Sequence, residues 1–255
     1  MTSTEQSRRK YDQLADRYEE MFFYVADVGR RLVDYADPAP GTRVLDVGAG
    51  RGAVARAALA RGCQVTAVDA SARMVQLLAA DHPEITARQQ DAGRLDFADG
   101  SFDLVTSGFV LQVLDEPGAA VAEAFRVLAP GGTVAVSVER QSVGRLAWLH
   151  ELNAGFFGAG RAAREPLTDA TVVTLLTEAG FTGPQRLPVE MPLPLAGPQA
   201  LWDWLASQGV GAALRAMPAA RAADFRERFF AGARRMHDEG GIALEFAATL
   251  HRARR

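Results

Sequence analysis

The amino-acid sequence predicts an α/β protein whose core is a mostly parallel β-sheet with crossover helices. Between residues 41 and 140, short apolar runs alternate with helix-like segments, which is typical of parallel strands joined by helices. Residues 43–52 form an apolar run that ends in glycines and leads into a stretch of small residues. This pattern predicts a strand, a tight turn and a helix that bring backbone close to a ligand.

The elements can be assigned in order. Residues 1–40 are predicted to be helical, because apolar residues recur there at spacings of three and four, and we expect this segment to cover the sheet's ligand site. The next five strands are predicted at residues 44–47, 64–68, 85–87, 102–106 and 133–138. A turn formed by Pro130, Gly131 and Gly132 is expected immediately before the fifth strand.

The second half of the chain departs from this alternation. Residues 141–167 are apolar, aromatic and glycine-rich, and we expect them to cap a substrate. A helix capped by Thr168 and ended by Gly180 precedes a sixth strand at residues 185–191, and a seventh is predicted at 242–250. Between these two strands, residues 196–240 are predicted to form two helices that begin near Pro198 and Pro218. The predicted organisation is therefore a helical cover (1–40), a core (41–195 and 241–255) and a helical lid insertion (196–240).

Acidic and small polar residues follow successive strands. Asp69 ends the second strand about 20 residues past the glycines, the usual place for a carboxylate that binds ribose hydroxyls. Asp91 and Ser107 follow the next two strands, and ligands on parallel sheets lie at these ends. A nicotinamide or flavin site is disfavoured, because the glycine spacing is G-x-G-x-G rather than G-x-G-x-x-G and Asp46 would repel a pyrophosphate.

These motifs resemble those of a known family. The segments VLDVGAGRG, VTAVDAS, QQDAGRLDFADGSFDLV and RVLAPGGTVAVS are similar to the successive motifs of class I S-adenosylmethionine-dependent methyltransferases, and best to their small-molecule branch. The resemblance covers residues 10–140 well and 165–192 loosely. It implies a Rossmann-like, doubly wound, seven-stranded and mostly parallel sheet with the last strand antiparallel, together with helical lid insertions.

The resemblance also implies a cofactor and the residues that hold it. The implied cofactor is S-adenosylmethionine, with Asp69 on the ribose hydroxyls, Asp91 on the adenine amino group and Met74 packed on adenine. Simpler roles stay open: Asp69 or Asp91 can cap a turn, and Met74 and Tyr18 can pack in the core. The expected cofactor-binding residues are Tyr18, Asp46, Gly48, Ala49, Gly50, Asp69, Ala70, Met74, Asp91, Ala92, Ser107 and Gln112.

Candidates for a catalytic base are few. Gln112 stands where similar enzymes often have a histidine, so orientation of the reactants is expected to supply much of the rate. His150, beside the aromatic cap segment, is the first candidate for a base and His237 the second, although either can be a polar lid residue. His82 and His251 are expected at the surface. No metal site is expected, and the single cysteine, Cys63, disfavours a cysteine-based zinc site in particular.

Composition narrows the function. The net charge of −3 lacks the basic excess of a nucleic-acid-binding protein, and no apolar run reaches membrane-spanning length. The first residues lack the apolar core of a signal peptide, so a cytoplasmic location is expected. Residues 107–110 lack the Asn/Asp-Pro-Pro-aromatic signature of adenine and glutamine methylation.

The expected function is transfer of a methyl group to O, N or C of a small, apolar or aromatic molecule. We expect no nucleic-acid and no membrane partner, and the sequence carries no signal for an oligomeric state. One alternative is a methyltransferase-like fold that binds the cofactor but serves as a cyclase or as a non-catalytic partner. Methylation of RNA or protein is a weaker alternative.

Overall fold

A computed structural model describes residues 3–140, 144–158 and 167–255. Seven strands form one sheet. The strands are β1 (Arg43–Val47), β2 (Gln64–Asp69), β3 (Thr86–Gln89), β4 (Phe102–Gly108), β5 (Leu128–Arg140), β6 (Thr182–Leu195) and β7 (Ile242–Arg254). The helices are α1 (Ser3–Leu14), α2 (Tyr18–Met21), α3 (Val25–Ala36), α4 (Ala53–Ala60), α5 (Ala72–Asp81), α6 (Pro117–Val127), α7 (Ala147–Phe157), α8 (Asp169–Glu178), α9 (Pro198–Leu205), α10 (Gly211–Arg215) and α11 (Ala219–Asp238).

The strand order is β3-β2-β1-β4-β5-β7-β6. β1 pairs in parallel with both β2 and β4, while β2–β3 and β4–β5 are also parallel, and the last strand is antiparallel. The chain thus winds outward from β1 in one direction and then from β4 in the other. This confirms the predicted doubly wound, Rossmann-like sheet. It also places the crevice that favours ligands at the carboxyl ends of β1 and β4.

Local sequence explains the elements around that crevice. Val44, Leu45 and Val47 are buried on β1, as expected for a strand covered on both faces. The Ser71 side chain accepts a hydrogen bond from Met74 N and so caps α5, and Thr168 caps α8 in the same way.

The predicted start of the fifth strand is wrong. β5 begins at Leu128 rather than at residue 133, and Phe102 pairs with Leu128 whereas Leu104 pairs with Thr133. The residues between those two pairs form a bulge within the strand, with Gly131 at φ +78°. The proline and glycines therefore interrupt the ladder instead of preceding it.

The chain forms two compact units, and the described residues of each have their own core. The first unit comprises residues 1–139, 167–189 and 248–255, and the second comprises 140–166 and 190–247. The predicted cover lies in the first unit, whereas the predicted lid insertion lies in the second. Residues 141–143 and 159–166 of the predicted cap lie outside the described residues. No helix among the described residues is long and apolar enough to cross a membrane.

The second unit has an aromatic core. Phe225 and Phe229 on α11 are fully buried, and Trp202 on α9 packs edge-on against Phe229 with ring centroids 5.0 Å apart. Leu201 and Leu205 complete the apolar face of α9. The predicted helices near Pro198 and Pro218 are thus α9 and α11, and α10 lies between them in sequence.

Candidate cofactor site

The turn after β1 is shaped by glycine. Gly48 and Gly50 have φ of +71° and +54°, a region that favours glycine. A Cβ on Gly48 would lie 2.2 Å from Val110 Cγ2, whereas the nearest atom to a Cβ on Gly50 would be Tyr18 Cε1 at 4.0 Å. Gly48 is therefore required by packing, while the space beside Gly50 is open to a ligand.

Asp69, at the end of β2, is tied to this turn. Its Oδ2 accepts from Gly50 N at 2.8 Å and its Oδ1 accepts from Ser71 N at 2.8 Å. Burial raises the pKa of Asp69, and these two backbone donors oppose that rise. The carboxylate thus bridges the glycine turn and the start of α5, and each of its oxygens keeps further acceptor capacity for a ligand.

Asp46 is enclosed by the first unit. Only 1% of its surface is exposed, and it accepts from Thr106 Oγ1 at 2.9 Å and from Ala55 N at 3.0 Å. Burial is the main cause that raises the pKa of Asp46 to about 7, against these two hydrogen bonds. Its charge therefore changes near neutral pH.

A cleft of about 830 Å³ opens at the carboxyl ends of β1, β2 and β4, and we call it the Asp69 cleft. Polar acceptors at one side, the Asp69 and Asp91 carboxylates, face an otherwise mostly apolar lining. The cleft is lined by Ser7, Arg8, Tyr11, Tyr18, Gly48, Gly50, Val68, Asp69, Ala70, Met74, Gln90, Asp91, Ala92, Gly108, Phe109, Val110, Val113 and Leu114. The structure thus brings together eight of the twelve predicted cofactor-binding residues.

A second cleft of about 610 Å³, the Asp46 cleft, shares part of this lining. Tyr18, Gly48, Gly50, Gly108 and Phe109 border both clefts. The remaining wall carries the predicted residues Asp46 and Ala49, together with aromatic side chains from the segment after α2. The glycine turn therefore separates two connected spaces.

The N-terminal helices are bonded to the cofactor side of the sheet. Asp12 on α1 accepts from the Ser71 hydroxyl at 2.6 Å, and Asp16 pairs with Arg73 on α5. Arg51 donates to the carbonyl of Ala15. These contacts hold Tyr11 and Tyr18 against the Asp69 cleft.

Two predicted cofactor residues do not line either cleft. Ser107 is buried and donates to the Val47 carbonyl at 3.0 Å. Gln112 instead contacts Glu139, accepting from its backbone N at 2.7 Å. Met74, although it lines the Asp69 cleft, is only 1% exposed, and Asp91 also caps a turn by accepting from Gly93 N. The simpler roles that the sequence left open are thus both present: Met74 packs in the core and Asp91 caps a turn.

The histidines divide between the two units. His150 is exposed on α7 and His237 is exposed on α11, both in the second unit, and their catalytic roles stay predictions. The prediction that His251 lies at the surface is wrong. Its side chain is fully buried, and its Nε2 lies 3.2 Å from Asp169 Oδ1, because β7 continues four residues past the predicted end. His82 is half-buried rather than exposed.

One lining residue, Phe109, and its contact with Tyr24 were not expected from the sequence. Phe109 adopts φ +60°, rare for a residue other than glycine, and its backbone N donates to Ser137 O and Oγ. Its place directly after β4, at the reversal of strand order, is a signal that could have identified it. Tyr24 packs on Phe109 with ring centroids 6.4 Å apart, and no local pattern indicates that contact.

The described residues contain no group of three or more side chains suited to a metal ion.

A doubly wound sheet with a glycine turn, a carboxylate at the end of β2 and a cleft at the switch point is the arrangement with which α/β proteins bind nucleoside-containing cofactors. Residues 45–136 match the sequence profile of a methyltransferase domain. An uncharacterized methyltransferase of Mycobacterium tuberculosis is 32% identical over 221 residues, 87% of this chain and 86% of the relative. The chain belongs to the class I S-adenosylmethionine-dependent methyltransferases, and it is an enzyme.

Other relatives match a shorter part of the chain. The demethylmenaquinone methyltransferase of Renibacterium salmoninarum is 42% identical over 108 residues, 42% of this chain and 46% of that relative. The match therefore spans about half the length of that protein.

Solved structures share the fold at low identity. The YcgJ protein of Bacillus subtilis has a TM-score of 0.59 at 20% identity, covering 90% of this chain and 98% of that chain. Phosphoethanolamine N-methyltransferase 2 of Haemonchus contortus, in complex with S-adenosyl-L-methionine, has a TM-score of 0.61 at 17% identity, covering 100% and 60%. The 4+2 cyclase SpnF has a TM-score of 0.55 at 19% identity, covering 89% and 80%. The fold alone therefore does not determine the reaction.

Proposed function

We propose that this chain binds S-adenosylmethionine with its nucleoside in the Asp69 cleft and its methionine end towards the Asp46 cleft. Asp69 accepts from the ribose hydroxyls, Asp91 accepts from the adenine amino group, Met74 packs against adenine, and the Ala92 N–H faces an adenine ring nitrogen. The observation that carries this proposal is the Asp69 carboxylate, held by Gly50 N and Ser71 N at the edge of the larger cleft.

The residues present fit this cofactor. A Cβ at Gly50 would enter the space below Tyr18, so the missing side chain leaves room for a ligand backbone. Both Asp46 and Asp69 border the clefts, and carboxylates favour the ammonium and sulfonium charges of S-adenosylmethionine. Tyr18 borders both clefts and supplies an aromatic face between them.

When bound, S-adenosylmethionine supplies a methyl carbon that is already activated by a positively charged sulfur. The chain's own residues then have to orient an acceptor and exclude water, which can contribute about 7–11 kcal/mol in favourable cases. Phe22, Phe23 and Phe109 border the Asp46 cleft, and such a wall favours an apolar or aromatic acceptor.

We propose a small-molecule acceptor in the cytoplasm, methylated on O, N or C. Two relatives support a small acceptor, since their names are demethylmenaquinone methyltransferase and nocamycin O-methyltransferase. His150 and His237 are the proton acceptors that the sequence alone suggests, and residues 141–167 and 196–240 are proposed covers of the acceptor.

Calorimetric titration with S-adenosylhomocysteine tests the binding site. Asp69→Ala removes two charge-assisted hydrogen bonds of about 1.5–3 kcal/mol each, so we expect affinity to fall by about 10²-fold or more. Asp103→Ala is the matched control, because this exposed carboxylate pairs with Arg43 away from either cleft. Equal affinity in the wild type and Asp69→Ala, with equal melting temperatures, would reject the assignment.

A second experiment separates methyl transfer from a repurposed fold. The protein is incubated with methyl-labelled S-adenosylmethionine and a set of small phenols, enols and amines. Label in an acceptor supports the methyltransferase reaction. Binding of the cofactor with no label in any acceptor of these classes would favour the cyclase or non-catalytic alternative.

A further inference from the structure

A carboxylate with no role in the reaction described so far stands at the end of β5. Glu139 follows Ser137 by two residues, and Ser137 is paired with Gly108 across the parallel β4–β5 ladder. Gly108 lines both clefts and Ser137 lines the Asp46 cleft. Glu139 therefore lies near the carboxyl end of β5, two residues beyond the wall of the Asp46 cleft, and its side chain is exposed.

Gln112 contacts Glu139 at two points, its backbone N and its carboxylate. Gln112 Oε1 accepts from the backbone N of Glu139 at 2.7 Å, and Gln112 Nε2 is 3.4 Å from Glu139 Oε2. The turn that carries Gln112 directly follows β4, between Phe109 and Leu114 of the Asp69 cleft. One amide thus fixes both the backbone and the side-chain direction of Glu139.

Two tyrosines of the N-terminal segment interact electrostatically with the same carboxylate. Burial raises the pKa of Tyr11 and of Tyr24, and the negative charge of Glu139 adds to the rise at each hydroxyl. Tyr11 lines the Asp69 cleft, while the Tyr24 ring packs on Phe109. Glu139 therefore interacts with one tyrosine that lines the Asp69 cleft and with a second that packs on Phe109, one of the residues that border both clefts.

Given the cofactor binding proposed above, we propose that Glu139 receives the proton of the methyl acceptor and that Gln112 is its positioning residue. The acceptor is then a molecule whose nucleophilic atom is an O–H or an N–H. A lone pair of that atom forms the bond to the methyl carbon, and the methyl–sulfur bond breaks with its electron pair left on sulfur. The displaced proton passes to a carboxylate oxygen of Glu139.

A binding experiment tests this without knowledge of the acceptor. Sinefungin has an amino-bearing carbon in place of the sulfur and its methyl, so its amine, cationic at pH 7, stands where the methyl does. S-adenosylhomocysteine carries neither a methyl group nor an amine at that position. A carboxylate aimed at the methyl should favour sinefungin, and the ratio of the two dissociation constants from calorimetry measures that preference.

We expect Glu139→Gln to lower the preference for sinefungin by about 10-fold, a typical size for one charge pair near a surface. Gln112→Ala should lower it by about 3-fold, because the carboxylate remains but is no longer held. Glu116→Gln is the matched control, because Glu116 is an exposed glutamate in the segment that follows Gln112. This variant should leave the ratio of the two dissociation constants unchanged.

The outcomes separate the two proposals. If both ligands bind the wild type and Glu139→Gln leaves the ratio unchanged, Glu139 does not face the methyl and the inference is wrong. If neither ligand binds the wild type, the proposed cofactor function is itself wrong, and the role of Glu139 falls with it. An equal loss of both ligands in Gln112→Ala would assign Gln112 a structural role alone.

Discussion

The hydroxyl of Thr106 on β4 donates to the buried carboxylate of Asp46 on β1 at 2.9 Å, across two directly paired residues of parallel strands. The other Asp46 oxygen accepts from Ala55 N in the first turn of α4. One carboxylate thus ties together the two strands at the switch point and the helix that follows the glycine turn. Because it is almost wholly desolvated, its ionisation should be linked to stability and to the charge of a ligand.

The first prediction concerns the pH dependence of folding. The pKa of Asp46 rises from about 3.8 to about 7 on folding, so the unfolded chain releases this proton at lower pH than the folded chain. The free energy of unfolding should therefore fall as pH rises from about 4 to about 7, by up to about 4 kcal/mol.

In Asp46→Asn the side chain at this position cannot ionise, so the variant should lack this fall in the free energy of unfolding with rising pH. Urea unfolding of the wild type and of Asp46→Asn at pH 5 and pH 8 measures the difference between their pH slopes, which cancels contributions from other groups. Parallel slopes in the two proteins would show that Asp46 does not carry this linkage.

The second prediction concerns Thr106. Thr106→Val keeps the shape of the side chain but removes the donor to a fully buried carboxylate, and we expect a loss of about 1–3 kcal/mol at pH 8. At pH 5 the loss should be smaller, because Asp46 is then neutral. Thr177→Val is the matched control, since its exposed hydroxyl donates to a helix carbonyl, and it should change stability by less than about 0.5 kcal/mol.

The cofactor side of this fold could be predicted because its signals are local. Asp46 and the glycine turn are adjacent in sequence, and Asp69 lies 19 residues from Gly50, as the strand–helix–strand repeat requires. Each of these positions follows from where a strand ends, which the pattern of apolar residues indicates.

The contact between Gln112 and Glu139 could not be predicted in the same way. Gln112 and Glu139 are 27 residues apart, and their contact depends on the register between β4 and β5, which a bulge alters. Tyr24 reaches Phe109 only because α2 and α3 are separate helices rather than one continuous helix. Register and helix breaks of this kind depend on tertiary packing, so residue patterns alone do not reveal them.

The third prediction concerns His251. Burial lowers the pKa of His251, and the neighbouring Asp169 only partly opposes this. The unfolded chain therefore binds the proton at higher pH than the folded chain, so stability should be lost as pH falls below about 6.5. Asp169 also lies 3.6 Å from Arg186, which disfavours a second positive charge here.

His251→Gln should lose less stability than the wild type between pH 7.5 and pH 5.5, measured by urea unfolding. His82→Gln, at the end of α5, is the control for replacing a histidine that is not bonded to Asp169, and its loss of free energy over the same pH range is compared with that of His251→Gln. The assignment fails if His251→Gln and the wild type lose the same free energy on acidification.

The last prediction separates backbone strain from ligand space at the glycine turn. Gly50 and Gly41 both have positive φ, +54° and +83°, so an alanine at either position is strained by about 1–2 kcal/mol. They differ in surroundings: Gly41 has no neighbour within 4 Å of an added Cβ, whereas at Gly50 that atom would point towards Tyr18 in the space shared by both clefts.

Thermal unfolding should show similar losses of stability for Gly50→Ala and Gly41→Ala. Calorimetry with S-adenosylhomocysteine should show about 10-fold weaker binding for Gly50→Ala alone, because its methyl group occupies the space proposed for the cofactor. Equal affinities in the two variants would mean that the cofactor does not pass beside Gly50.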